Sequence, residues 1–291
     1  SGLDVSGGWG ASEVVDGKLY CIGGVDASGA GSDFTDISRV RIIDISGSGS
    51  LEDGSGISVA RHGIASAVDS CGNIFIIGGK AGTVDSSAVE IYDTSNDRII
   101  QDFGSGLHDT NITRPLVQFD GGLAQAVAGT DSSGNIYVIG GSRENDGSSN
   151  LISKYTPWNE TTDYNKYNHW TKDVQVYDPS ASTWASSTDI SGLDVSGGWG
   201  ASEVVNGKLY CIGGVDASSN IDQDGTNWVD ISRVRIIDIS GDGMRALDVS
   251  NISIARHGIA SAVDSSGNIF IIGGKAGTVD SSAVEIYDTS N

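Results

Sequence analysis

The segment GNIFIIGGKAGTVDSSAVEIYD occupies positions 72–93 and returns letter for letter at 267–288. A chain of this kind must present the same packing surfaces more than once, so its fold follows from its repeat. At the centre of the repeat is an apolar run closed by two glycines: GKLYCIGG at 17–24, GNIFIIGG at 72–79, GNIYVIGG at 134–141, GKLYCIGG at 207–214 and GNIFIIGG at 267–274. A short apolar segment such as GIASAVD precedes each run, and the Gly-containing turn between the two predicts a hairpin. After a variable loop comes a third strand: RVRIIDIS at 39, AVEIYDTS at 88, DVQVYDPS at 173, RVRIIDIS at 233 and AVEIYDTS at 283. A fourth, weaker strand follows in most units, as in TWASSTDIS from Thr183.

Four strands per unit in five units predict the blades of an all-β propeller, one domain over 1–291 with blades near 1–58, 59–116, 117–190, 191–253 and 254–291. The last blade lacks its outer strand. Residues 1–96 also match 191–291, which gives a longer period of three blades. Two such periods make six blades. The expectation is therefore a fragment of a six-bladed ring, or a five-bladed ring or arc whose sheet another chain completes.

ARHGIASAVDSCGNIFIIGG followed by VEIYD, and GNIYVIGG followed by VYDPSASTW with Tyr177 and Trp184, resemble the kelch repeat. Ile43 and Ile237 replace the motif Tyr, Ile99 replaces the motif Trp, and the units exceed the roughly 50 residues usual for kelch. The resemblance implies a kelch-type propeller that binds through its loops and channel mouth. It also opens an enzymatic alternative, because kelch-like propellers include copper radical oxidases and sialic-acid isomerases.

Thirty-eight acidic against 17 basic residues give a formal charge of -21, and most of the acids are Asp. Such a surface repels phosphate backbones and anionic lipid, which argues against nucleic acid and membrane as partners. Asp also suits turns, in keeping with 42 glycines and only three prolines. No apolar run approaches the roughly 20 residues of a spanning helix. Three cysteines make no disulfide framework, and Cys21 and Cys211 read as buried free thiols inside equivalent strands. The chain opens on SGLDVSGGWG, which reappears at Ser191, so its first residue reads as an interior cut.

Candidate sites lie on the loops and at the channel mouth. At the lead-in to the innermost strands stand Trp9, His62, Trp199 and His257, with Arg61 and Arg256 beside them and Phe119, Asp120 and Gly121 in the third unit. Such a ring would stack on a sugar or grip an acidic peptide; the competing reading packs RHG between blades. Glu13 and Glu203 interrupt apolar innermost strands where sister units carry Ser66 and Ser261. Near the axis they would hold a cation, act as a base when desolvated, or simply face channel water. Non-adjacent units contribute them, so a glycosidase-type carboxylate pair is not expected.

The loop at 215–232 carries Asn220, Asp222, Asp224 and Gly225 in the alternating spacing of calcium loops, with Asp230 to close it, although Ile231 stands where the final Glu belongs. An Asp-rich turn is the alternative. The insertion at 142–173 concentrates Tyr155, Trp158, Tyr164, Tyr167 and Trp170, residues suited to sugar stacking or a protein contact. Asn111, Asn159 and Asn251 begin glycosylation sequons.

With neither a zinc-spaced cluster nor a nucleophile elbow in view, the expected function is a noncatalytic recognition or assembly module, extracellular or at the cell surface. It would bind glycan or protein and use calcium at most as a cofactor. A carbohydrate-active propeller enzyme and a surface polymer joined through blade edges are the alternatives.

Overall fold

The computed structural model describes residues 7–26, 34–82, 84–86, 88–102, 124–143, 169–170, 174–178, 183–187, 198–216, 229–239 and 246–290. Among them there is no helix; the protein is all-β, built of antiparallel sheets. Five larger sheets follow one another along the chain. The first runs Ala11–Val15, Lys18–Ile22, Val40–Asp44, Leu51–Gly54, and the second Ala65–Val68, Ile74–Ile77, Val89–Asp93, Arg98–Asp102. The third comprises Val127–Thr130, Ile136–Ile139, Val174–Asp178 and Thr183–Ser187, the fourth Ala201–Val205, Lys208–Ile212, Val234–Asp238 and Ala246–Asp248. The fifth has three strands, Ala260–Val263, Ile269–Ile272 and Val284–Tyr287. In every sheet spatial order equals chain order.

The strands form because β-branched residues alternate on a pleated surface that is covered on both sides. Ile74 and Ile76 face the first sheet, where they meet Tyr20, Ile22, Val40 and Ile42. Phe75 and Ile77 face the other way, towards Ala128, Ile136 and Val138 of the third sheet. Tyr137 and Ile139 then pack on Leu209 and Ile237 of the fourth, and Tyr210 and Ile212 on Ile269 and Ile271 of the fifth. Four apolar layers thus join five sheets face to face.

The turns explain the Asp and Gly content. Asp69 Oδ1 accepts the N–H groups of Cys71 and Asn73, each at 2.8 Å, and Asp131 and Asp264 close the same turn in the third and fifth sheets. The double glycine has a steric cause. Gly23 and Gly24 hold φ of 59° and 98°, and a Cβ on Gly24 would lie 2.5 Å from the carbonyl oxygen of Gly8.

Candidate functional site around the central cavity

The innermost strands are joined just before they begin by a belt of backbone hydrogen bonds. Gly63 N–H donates to Trp9 C=O at 2.7 Å, Gln125 to Gly63 at 2.7 Å, Trp199 to Gln125 at 3.1 Å and Gly258 to Trp199 at 2.8 Å. All five residues hold the left-handed conformation, with φ of 59°, 61°, 62°, 56° and 59° in the order Trp9, Gly63, Gln125, Trp199, Gly258. They are structural equivalents. This corrects the sequence alignment by one position: Trp9 matches Gly63, not His62, and the third-sheet member is Gln125. Phe119, Asp120 and Gly121 lie outside the described residues.

Inside the belt the five innermost strands line a cavity of about 630 Å³, with Trp9, Ser12, Glu13, His62, Ser66, Trp199, Ser202, Glu203 and Ser261 among its residues. At its mouth are two ring clusters. Trp9, 54% exposed, meets Phe34 at a centroid distance of 5.3 Å and His62 at 5.7 Å. Trp199 stacks on His257 at 5.4 Å. Each imidazole is oriented from behind: Asp36 Oδ1 lies 2.6 Å from His62 Nδ1, and Asp230 Oδ1 lies 2.7 Å from His257 Nδ1. The second carboxylate oxygens accept the N–H groups of Gly82 and Gly277. Trp9 and Trp199 thus hold the left-handed region, a strained backbone for a bulky residue, where two sister sheets place glycine.

Asp230, expected to close a calcium loop, bonds to His257 and Gly277 through its two carboxylate oxygens. Asn220, Asp222 and Asp224 lie outside the described residues, among which no group of three potential metal ligands gathers.

Arg61 and Arg256 are corrected as well. Both are fully buried and do not reach the mouth. Arg61 donates to the Gly78 carbonyl at 2.7 Å and pairs with the equally buried Glu90 at 2.5 Å, while Arg256 pairs with Glu285 at 2.6 Å. The charge is needed inside to neutralise a glutamate in an apolar strand, which leaves none for a ligand.

Glu13 and Glu203, from the first and fourth sheets, meet at one cavity. Desolvation pushes the Glu13 carboxyl up to about 7; the Ser66 hydroxyl, donating at 2.7 Å, opposes the shift and the charge of Glu203 adds to it. Desolvation raises Glu203 too, against a hydrogen bond from Ser261. The sequence places both glutamates near the axis, and the structure brings them to the lining of one cavity. The hydroxyls of Ser12, Ser66, Ser202 and Ser261 line the same cavity as these two glutamates, which suits a proton or a cationic or hydroxyl-rich guest.

Cys21 and Cys211 are half-buried free thiols, and burial pushes Cys211 up to about 12. Of the insertion aromatics only the backbone of Trp170 is described, in a short ribbon of His169–Trp170 with Ser142–Arg143; Tyr155, Trp158, Tyr164 and Tyr167 lie outside. Asn251 is exposed, and Asn111 and Asn159 also lie outside the described residues.

No protein-family model matches the chain, and no curated protein matches it. Many solved structures do. One of them, described as "Structure of YjhT", superposes over 93% of this chain and 73% of its own with a TM-score of 0.62 and 16% identity. At that identity the likeness is one of fold alone: this chain shares the fold of that structure.

Proposed function

We propose that the five sheets are blades of a kelch-type propeller and that the protein is a noncatalytic recognition module, extracellular or at the cell surface. It takes a glycan, or a polar protein loop, at the mouth of the central cavity. The observation that carries this reading is the pair of ring clusters, Trp9–Phe34–His62 and Trp199–His257, held by strained backbone above a hydroxyl-lined cavity. Exposed indole faces are suited to the apolar face of a pyranose, and serines and glutamates beneath them to its hydroxyls. The exposed sequon at Asn251 supports a secreted setting. Calcium stays a proposal for Asn220, Asp222, Asp224 and Asp230.

The test uses the sister sheets as its guide. Trp9→Gly and Trp199→Gly place at these positions the residue that Gly63 and Gly258 already supply at the same φ, so melting temperature should hold or rise. Glycan-array and calorimetric binding should fall at least about tenfold, some 1.4 kcal/mol. Unchanged binding in both variants sinks the reading.

One observation favours a second reading, a carbohydrate-active enzyme: a buried carboxyl pushed up to about 7 at a cavity is poised to move protons at neutral pH. Deuterium exchange into reducing sugars followed by NMR tests it. Exchange abolished by Glu13→Gln supports catalysis, and no exchange with any sugar removes it.

A further inference from the structure

We infer that the two ring clusters are one subsite built twice, and that a linear β-1,4-linked oligosaccharide of uncharged, glucose-configured residues occupies both at once. This rests on the glycan reading proposed above and narrows it to one class of ligand. Residues 1–96 match 191–291, and the match extends to the geometry of the mouth. In each copy a Trp from one lead-in meets a His from the next, at 5.7 Å for Trp9 and His62 and 5.4 Å for Trp199 and His257. In each an Asp holds the imidazole through one oxygen and accepts the N–H of a ribbon glycine, Gly82 or Gly277, through the other. Equal residues in equal relation offer a ligand the same contact, so a sugar ring that suits one cluster suits the other.

Both clusters stand at one cavity, within reach of one molecule. Trp9 and Trp199 are connected by three links of the belt, through Gly63 and Gln125, with donor to acceptor distances of 2.7, 2.7 and 3.1 Å. Standard bond lengths then keep their Cα atoms no more than about 21 Å apart. The belt is low between them. Gly63 has no side chain, and Gln125 and the Ala124 before it are buried. A sugar chain stretched from one indole to the other meets no projecting ring along this part of the belt.

Charge narrows the ligand further. Arg61 and Arg256 are buried in ion pairs. Lys80 and Lys275, bridged through backbone to His62 and His257, turn their ammonium groups to Asp85 and Asp280 at 3.3 and 3.6 Å. Glu13 and Glu203 line the cavity, and the chain carries a formal charge of -21. Uronate and sulfate groups are repelled from such a mouth. In a β-1,4-linked glucose-configured chain the ring hydroxyls are equatorial, so C–H groups cover both faces of each residue. That is the surface an indole face accepts, and the extended chain repeats it along a line.

The test follows the indole N–H resonances of Trp9 and Trp199 by NMR, assigned by their loss in Trp9→Gly and Trp199→Gly. Titrated with glucose or with N-acetylglucosamine, the two signals should shift independently, and Trp9→Gly should leave the Trp199 curve in place. With cellohexaose or with the N-acetylglucosamine hexamer, both signals should move on one curve at least about tenfold tighter than the monosaccharide. Trp9→Gly should then return Trp199 to the monosaccharide affinity. Equal affinity for monomer and hexamer overturns the inference, as does a hexamer curve for Trp199 that Trp9→Gly leaves unchanged. So does a monosaccharide that moves both signals together, because one ring would then be clamped by both clusters. Those three outcomes leave the glycan reading standing. Silence of both signals towards both sugar series overturns the inference, and the glycan array with Trp9→Gly and Trp199→Gly decides the broader reading separately.

Discussion

At the cavity, burial shifts the charge state of Glu13 into the neutral pH range. Its carboxyl titrates near 7 in the folded protein against 4.5 in an unperturbed one. Between these values the folded state holds a proton that the unfolded state has released, so the stability contributed is complete below pH 4.5 and is lost as pH rises through 7. Glu13→Gln keeps a partner for the Ser66 hydroxyl and removes the titration. Urea unfolding should find it more stable than the parent by about 1–3 kcal/mol at pH 8 and equal to it at pH 4. A difference that does not vary with pH would place the carboxylate in open water.

Within the element, Arg61 and Glu90 bind the lead-in of a sheet to that sheet's own third strand, and the side chain of each is wholly buried. Arg61→Met should cost about 3–5 kcal/mol because Glu90 is left charged in an apolar layer. Arg256→Met should cost less, since the Glu285 side chain keeps 22% exposure and can take water as its partner. Pairing Arg61→Met with Glu90→Gln should recover part of the loss in the same denaturation assay.

This pair was legible in outline. A glutamate inside the apolar strand AVEIYD calls for a cation, and Arg61 and Arg256 occur in the two units that have it. The strands were legible for a similar reason, because the double glycines and Asp turns are demands of local backbone geometry. The mouth was harder. Aligning Gly10 with Gly63 set Trp9 against His62, although counting back from the Ala-Ser of each innermost strand gives Gly63. Gln125 has neither glycine nor an aromatic ring to mark it.

Across the whole molecule, a formal charge of -21 is spread over a scaffold held by apolar layers between sheets. Self-repulsion of this size opposes the compact state and is screened by salt. Raising sodium chloride from about 0.02 M to about 0.5 M should lift the melting temperature by several degrees, with most of the gain below about 0.2 M, where the Debye length shortens most. A flat response would show the acids to be neutralised locally by their turns.

The belt at the cavity mouth also bears on what such a scaffold can be adapted to hold. Its links are peptide groups running in one direction from Trp9 to Gly258, so the spacing of the sheets there is set by backbone and is indifferent to which side chains stand on it. Exchanging Trp, Gly or Gln at these positions changes the side chains presented at the cavity and leaves the peptide links between the sheets in place, so the same frame can carry different surface chemistry at this point.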